Sequence, residues 1–490
     1  MIRQILSRSF VLQQLRRVRA HLENVLSQDT TRQSFMSNFP GVAPEHLRMT
    51  LEAIQQAQAR EEKRSSGQKG HEAPPSAGLL ATSAPLEERS FFSRDPIISN
   101  FQSGLEEYLE TKETKNPIVT ETPKDSARPN DFAVTHRTLS GLPPSGQPQG
   151  VASLPGAFEP TDPGWISAAV AKGLSLFRGK RDFNPISATP LPIADNARVV
   201  LVGDWGTGLP RAQKVAAEIR KVLDEGKANN RQQHVVHLGD VYYAGWQREY
   251  ENRFLPYWPV RADEADTITS WSLNGNHDMY TGGHAYFDFL LRDPRFKKQE
   301  QSSFFRLFNN NWDILALDTA WDDAGLIDRR GVLKDPQADW IRSVLNISKR
   351  QTVLLSHHQL FTVYDQEADA LKLDDKLKAV LDLNRITAWF WGHEHRCMLF
   401  NPFDEVQFGR CIGHGGVPVY MQHAEEDPIP QPGEFEYRDF IQDGEEKWAL
   451  FGFAVMEFQG ALANVRYINE DGSTYMSETI TSRAAAAAAS

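Results

Sequence analysis

The sequence predicts an α/β fold over residues 196–482, because short strand-like runs there alternate with helical periods and end in polar residues. The run 198–203 is rich in β-branched residues and ends in glycine, and 211–223 has helical periodicity. Strands that alternate with helices are typical of an α/β sheet. The carboxyl ends of the strands in such a sheet form the crevice where ligands bind. The sequence therefore predicts a ligand site at these strand ends.

Further strands and one further helix continue this pattern along the chain. A second helix is predicted over 336–345, between two of the strands. The strands after the first are predicted at 234–238, 267–273, 313–317, 352–355, 386–391, 451–458 and 463–468. After about residue 406 the helices give way to strands and loops.

The chain before the α/β region has a different composition. Residues 1–115 are predicted to form a helical region, which includes a helix from Pro44 to about Arg64, because proline is tolerated in a first helical turn. Residues 116–195 are rich in proline and are interpreted as a linker or a wrapping segment. Residues 483–490 form an alanine-rich tail.

The first 23 residues carry the sequence signals for subcellular location. They are rich in arginine, contain no acid before Glu23 and carry apolar residues at near-helical spacing. This pattern favours a surface or bundle helix, with an organellar targeting peptide as the alternative. Polar residues break the continuous apolar run that a secretory signal needs, and no run of 18 apolar residues exists. We therefore expect a cytoplasmic protein without a transmembrane segment.

Composition and charge exclude several classes of protein. The chain has 490 residues and a formal net charge of −11, and no large basic block occurs. An acidic chain of this kind argues against binding to the nucleic-acid backbone, so we expect no sequence-specific nucleic-acid partner. The two cysteines, Cys397 and Cys411, exclude a disulfide scaffold and a cysteine-rich zinc site. Bound metal ions would add positive charge in a cleft, so a phosphate substrate remains compatible with the acidic chain.

Potential metal ligands follow the ends of several predicted strands. A lone glycine–aspartate pair after a strand usually caps a turn, whereas several such endings in order indicate a shared site. The endings are Gly203-Asp204, Gly239-Asp240, Gly275-Asn276-His277-Asp278, Ser356-His357-His358 and Gly392-His393-Glu394-His395. Carboxylate, amide and imidazole groups together suit hard or borderline ions such as iron, manganese and zinc.

These endings resemble the motifs of the calcineurin-like metallophosphoesterases, and within them the purple acid phosphatase branch. The order Gly-Asp-x-Gly, Gly-Asp-x-x-Tyr, Gly-Asn-His-Asp, x-His, Gly-His-x-His is complete between Asp204 and His395. The resemblance implies a four-layer αββα sandwich. It also implies a dinuclear metal-dependent phosphoesterase that hydrolyses phosphate esters, chiefly phosphomonoesters of small molecules, by attack of a metal-bound hydroxide.

The resemblance also implies a ligand set. Asp240 would bridge two metal ions, with Asp204, Tyr243 and His395 completing the first site. Asn276, His357 and His393 would complete the second site. A phenolate from Tyr243 favours Fe(III), because a hard anionic oxygen suits a highly charged ion, and the second ion is expected to be Fe(II), Zn or Mn.

Other residues have expected roles beside the metals. His277 is expected to be the proton donor or transition-state stabiliser, oriented by a hydrogen bond that Asp278 accepts. Asn276, His277 and His414, the last in a glycine-rich turn, are expected to contact substrate. His358 abuts His357, so either could be the ligand, and the family pattern favours His357.

Two alternative functions stay open at this stage. The same centre would serve a phosphodiesterase or a nucleotide hydrolase. A different class is a metal-binding scaffold in which residues 1–195 are the interaction part, although no protein partner is identified by the sequence.

Overall fold

The computed structural model describes residues 7–29, 33, 44–67, 90–114, 179–324, 331–364, 372–421, 423–443 and 446–481. The chain divides into two compact units. The first comprises Met1–Lys69 and Arg89–Gly179, and the second Gly70–Glu88 and Lys180–Ser490. Most of the predicted linker (residues 116–178) and the alanine-rich tail lie outside the described residues.

The first unit contains the helices α1 (Arg8–Ser27), α2 (Pro44–Gly67) and α3 (Pro96–Thr114). The predicted helix after Pro44 is therefore confirmed. Helix α1 buries one apolar stripe, which includes Val11 and Leu15, as expected of a helix that packs in a bundle. These three helices pack against one another.

The part of the second unit that the structure describes contains 16 strands and several helices. The strands are β1 (Leu191–Pro192), β2 (Arg198–Val202), β3 (Gln233–His237), β4 (Ile268–Ser272), β5 (Phe305–Phe308), β6 (Trp312–Ala316), β7 (Gln351–Ser356), β8 (Ile386–Trp391), β9 (Cys397–Phe400), β10 (Phe408–Ile412), β11 (Gly433–Glu436), β12 (Phe440–Asp443), β13 (Glu446–Ala449), β14 (Gly452–Gln459), β15 (Leu462–Asn469) and β16 (Thr474–Ile480). All the strands predicted from the sequence are present within one or two residues of their expected ends.

The helices of this unit are mostly short and lie between the strands. The α-helices are α4 (Pro210–Ala228), α5 (Gln247–Glu249), α6 (Asn276–Met279), α7 (His284–Asp288), α8 (Asp335–Ile347) and α9 (Lys372–Leu381). Single turns of 3₁₀ or π type occur at Tyr250–Phe254, Ala262–Glu264, Leu290–Arg292, Pro294–Gln299 and Trp321–Ala324. The two helices predicted from periodicity correspond to α4 and α8.

Two large sheets make up the centre of this unit. The six-stranded sheet has the order β16-β15-β14-β2-β3-β4, and the eight-stranded sheet has the order β1-β5-β6-β7-β8-β10-β9-β11. Strands β2, β3 and β4 run parallel, as do β6, β7, β8 and β10. The carboxyl ends of each parallel set therefore lie along one edge of its sheet.

The burial pattern of β2 shows how the layers form. Val199 and Leu201 point into a core shared by both sheets, whereas Val200 and Val202 point to the opposite face, where α4 packs. Strands buried on both faces read as continuous apolar runs, which explains the sequence of β2. Helices α8 and α9 cover the outer face of the eight-stranded sheet. The four-layer αββα sandwich is confirmed.

Residues 180–195, which composition assigned to the linker or wrapping segment, belong to the second unit and pack on its eight-stranded sheet. Strand β1 pairs in parallel with β5, and Phe183 stacks on Phe304 with ring centroids 6.0 Å apart. This part of the segment therefore adds a short strand to the edge of the eight-stranded sheet. Among the described residues, no helix is both long and apolar enough to cross a bilayer.

Candidate metal centre

The first two aspartates follow parallel strands in tight turns. Asp204 lies two residues after β2 and Asp240 three residues after β3. Both have left-handed backbones, with φ of +54° and +78°, a conformation that only a few per cent of non-glycine residues adopt. Residues in such conformations persist where surrounding structure fixes them, and they cluster at functional sites.

The hydroxyl of Tyr242 lies among three expected metal ligands. It is 3.0 Å from Asp240 Oδ2, 3.3 Å from Asp204 Oδ1 and 3.1 Å from His395 Nε2. His395 Nε2 is also 3.5 Å from Asp204 Oδ1. These four side chains therefore form one cluster, whose phenol comes from Tyr242.

Tyr243, the expected phenolate ligand, occupies a different place. Its ring lies beneath the guanidinium of Arg253, 4.4 Å from ring centroid to Cζ. Its carbonyl oxygen accepts a hydrogen bond from His277 Nδ1 at 2.6 Å. The structure therefore places the phenol of Tyr242, and not that of Tyr243, beside the other expected ligands, because adjacent residues in this turn direct their side chains to different sides.

A second cluster contains one amide and two imidazoles. Asn276 Oδ1 is 2.9 Å from both His357 Nε2 and His393 Nδ1, and these two nitrogens are 3.2 Å apart. His357 Nδ1 donates to the carbonyl of Leu238 at 2.9 Å, since a carbonyl only accepts. Burial lowers the pKa of His357, so its ring is neutral and Nε2 presents a lone pair to the Asn276 oxygen.

Asp240 faces both clusters with its two carboxylate oxygens. Oδ2 contacts the Tyr242 hydroxyl, and Oδ1 lies 3.4 Å from His357 Nε2. Burial raises the pKa of Asp240, whereas the nearby imidazoles of His357 and His277 and a hydrogen bond from the His277 amide lower it, with a net pKa of about 2. Asp240 is thus an ionised carboxylate between the two groups of ligands.

His277 follows Asn276 in helix α6 and is almost completely buried. Because Nδ1 donates to the carbonyl of Tyr243, Nε2 is the ring atom that faces Asp240, with Nε2 and Oδ2 3.9 Å apart. The rings of Tyr242 and Tyr280 flank the imidazole, at centroid distances of 4.4 and 4.7 Å. His277 therefore lies beside the two clusters in a fixed orientation.

Asp278 binds backbone amides and a tyrosine hydroxyl, whereas the sequence suggested that it orients His277. Its Oδ2 accepts from the backbone amides of Asp240 at 2.8 Å and Gly275 at 2.7 Å, and its Oδ1 accepts from the Tyr250 hydroxyl. Burial and the charge of Asp240 raise the pKa of Asp278 to about 7. The carbonyl of Tyr243 orients His277, and Asp278 instead ties together the turns that carry Asp240 and Asn276.

The structure distinguishes the two adjacent histidines after β7. His357 contacts Asn276, His393 and Asp240, as described above. His358 Nδ1 lies 3.0 Å from Thr319 Oγ1, which also accepts from the His358 amide. The geometry therefore favours His357 as the ligand, with His358 beside it.

The side chain of His414, which the sequence suggested as a substrate contact, packs among aromatic residues. The ring is buried, and its Nε2 is 2.8 Å from the hydroxyl of Tyr475. Burial lowers the pKa of His414 to about 3. The glycine-rich turn suggested an exposed histidine, but aromatic packing against Tyr437 and Tyr475 encloses it.

Two glycines permit this close approach of backbone and ligands. A Cβ at Gly275 would overlap Asp240 Oδ1, and a Cβ at Gly392 would lie 2.5 Å from Asp204 Oδ2. The amide of His393, next to Gly392, donates to that same oxygen at 2.8 Å. Any other residue at these positions would displace a carboxylate from the centre.

The donor set fits metal ions. The ligand atoms of Asp204, Asp240 and His357 all lie within 4.8 Å of one another, as do those of His357, His358 and His393. Lone pairs on His357 Nε2 and Asn276 Oδ1 face each other at 2.9 Å, an arrangement that a cation between them would relieve. Carboxylate, phenol, amide and imidazole donors suit iron, zinc or manganese.

Comparison with known proteins agrees with the motifs. Residues 197–397 match the family model of the calcineurin-like phosphoesterases. The chain is 26% identical over 321 residues to tartrate-resistant acid phosphatase type 5 of Oryctolagus cuniculus, covering 60% of this chain and 95% of the relative. It is 25% identical over 329 residues to the Homo sapiens protein of the same name, covering 61% and 97%.

Among solved structures, the chain is similar to GAP50, the anchor in the inner membrane complex of Plasmodium. The TM-score is 0.42 at 12% identity, with 58% of this chain and 89% of that chain covered. The resemblance that the motifs carried is confirmed by the family model and the acid phosphatase relatives. Residues 197–397 are therefore similar to the calcineurin-like phosphoesterases in sequence.

Proposed function

We propose that the second unit hydrolyses phosphomonoesters of small molecules at a pair of metal ions. The observation that supports this proposal is that six side chains gather around Asp240, the seven together coming from five strand ends. One metal would be held by Asp204, Asp240, Tyr242 and His395, and the other by Asp240, Asn276, His357 and His393.

The proposed identity of each ion follows from its donors. Two carboxylates and a phenolate make the Tyr242 cluster rich in hard anionic oxygen, which favours Fe(III). The Asn276 cluster offers one amide oxygen and two imidazoles, which suit Fe(II), Zn or Mn.

The protein's own residues would bind and orient the reacting groups. When bound, the two ions would supply positive charge for the phosphoryl oxygens and lower the pKa of water. The buried carboxylate of Asp240 sets the spacing of the two clusters, and Asp278 holds the turns that carry Asp240 and Asn276. His277, with its Nδ1 proton fixed by a carbonyl, directs Nε2 to the leaving-group oxygen.

A substrate pair tests this proposal directly. Phenyl phosphate and diphenyl phosphate would be assayed with the purified protein before chelation, after chelation and after return of metal. We expect hydrolysis of phenyl phosphate that chelation abolishes and metal restores. Turnover of the diester alone would instead establish the phosphodiesterase alternative. Stoichiometric metal binding without turnover of either ester would establish a scaffold.

A further inference from the structure

Two lysine side chains lie on the indole ring of Trp321. The ammonium groups of Lys180 and Lys334 are 4.0 and 4.2 Å from its ring centroid. Both also contact one carboxylate oxygen, Asp322 Oδ1, at 3.2 and 3.1 Å. The cluster therefore holds two positive charges against one negative charge, in a chain whose formal net charge is −11.

The backbone around this lysine cluster is firmly anchored. The amide of Arg181 donates to the carbonyl of Gly282 at 2.8 Å, and the indole nitrogen of Trp321 donates to the carbonyl of Arg181 at 2.9 Å. Lys180 also donates to the carbonyl of Trp321 at 3.3 Å. The charges therefore have fixed positions before any ligand arrives, which lowers the entropy cost of binding.

The lysine cluster lies beside the candidate metal centre. The turn Trp321–Ala324 follows the carboxyl end of β6 and packs against α6, which carries Asn276 and His277. Thr319 bonds His358, and a Cβ at Gly331, three residues before Lys334, would lie 2.6 Å from His358 Cβ. Thr319, before Trp321, and Gly331, before Lys334, thus both contact His358, which lies next to the expected ligand His357.

The side chains of the cluster remain accessible to a ligand. Lys180 and Lys334 each keep 30% of their side-chain surface exposed, and Asp322 keeps 28%. A partly exposed ammonium group that is held on an aromatic ring can exchange water for an anionic ligand without a large movement.

We propose that Lys180 and Lys334 form an anion-binding subsite for a second negatively charged group on the substrate, separate from the phosphate that is cleaved. The preferred substrates are phosphomonoesters whose leaving group carries a carboxylate or another phosphate. This subsite rests on the proposed phosphatase activity. It adds that the wrapping segment before the phosphoesterase domain takes part in substrate selection.

Matched substrates test the subsite. Phenyl phosphate would be compared with 3- and 4-carboxyphenyl phosphate. The preference is defined as kcat/KM for each carboxyphenyl phosphate divided by kcat/KM for phenyl phosphate. In the double variant Lys180→Met/Lys334→Met, which keeps apolar packing on Trp321, we expect this preference to fall roughly three- to tenfold. The charge-preserving variant Lys180→Arg/Lys334→Arg should retain most of it.

Lys349→Met provides a control, because Lys349 is exposed and lies just before β7, at the opposite end of the strands. It should leave the preference unchanged. An unchanged preference in the methionine double variant, with phenyl phosphate still hydrolysed, would overturn the subsite alone. No turnover of any ester by the wild-type protein would overturn the phosphatase proposal instead.

Discussion

The two halves of the candidate metal centre differ in charge. The half around Tyr242 combines two carboxylates, a phenol and one imidazole, whereas the half around Asn276 combines an amide and two imidazoles with the shared Asp240. A site with more anionic oxygen favours a harder, more highly charged ion. In the proposed centre the two ions would therefore not be equivalent, so loss of one donor should affect one half more than the other.

The largest effect should come from Asp240, because it alone faces both halves. Asp240→Asn removes the shared negative charge while preserving shape. We expect kcat/KM for phenyl phosphate to fall by ~10³-fold, or about 4 kcal/mol in transition-state stabilisation, and the metal content to fall in both halves. Kinetics and metal analysis of the same preparation would measure this.

Asp263→Asn is the matched control, because the Asp263 side chain is 81% exposed on a single turn of 3₁₀ helix. It should keep normal activity and metal content. Full activity in Asp240→Asn would contradict a shared carboxylate.

The second-largest effect concerns the adjacent residues Tyr242 and Tyr243, and it tests only the half of the centre around Tyr242. With iron bound, a phenolate ligand should give a visible charge-transfer band. Tyr242→Phe should abolish that band, because the hydroxyl that contacts Asp204, Asp240 and His395 is lost. Tyr243→Phe should preserve the band, since the Tyr243 ring lies beneath Arg253. Visible absorption of both iron-loaded variants would decide between them, and the reverse pattern would restore Tyr243 as the ligand.

The smallest expected effect concerns the pH dependence of stability, and it comes from His414, whose imidazole belongs to neither half of the candidate metal centre. The pKa of His414 is lowered to about 3 in the folded chain, so the unfolded chain takes up its proton first as the pH falls below about 6.5. His414 therefore contributes a loss of stability of about 1.4 kcal/mol per pH unit as the pH falls from about 6 to 4.

In His414→Gln that contribution should disappear. Melting temperatures of the variant and the wild-type protein, measured at pH 7, 6 and 5, should converge as the pH falls. Parallel curves would show that His414 has no part in the acid sensitivity of the fold.

The fold and the position of the site could largely be predicted from the sequence. The run 198–203 and its counterparts became strands because residues buried on both faces of a parallel sheet must nearly all be apolar. Parallel strands bring their carboxyl ends to one edge of their sheet, so Asp204 and Asp240 had to approach one another, whereas His357 comes from the other sheet.

The direction of individual side chains could not be predicted in the same way. Spacing specifies that a turn follows β3, but not whether Tyr242 or Tyr243 points to the aspartates. Gly245 was the available sign of a constrained turn, since a Cβ there would lie 2.7 Å from the backbone of Asp278. His414 was misjudged because the aromatic residues that enclose it are distant in sequence.

The lysine cluster was missed for a related reason. Lys180 lies in a segment whose composition resembled a linker, and its contacts with Trp321 and Asp322 span some 140 residues of chain. The composition of a segment does not show which distant residues it will contact, and the position of Lys180 depends on its contacts with Trp321 and Asp322.

The short strand β1 also determines where the functional unit can be cut. Residues 188–193 cover β5, with the amides of Ala188 and Ile193 donating to the carbonyls of Phe304 and Phe308 at 3.2 and 2.8 Å. An uncovered edge strand is a template for pairing with another chain. A shortened protein that begins at Ala197 would keep every metal ligand and yet expose this edge to self-association. The smallest unit suited to expression therefore begins at or before Lys180.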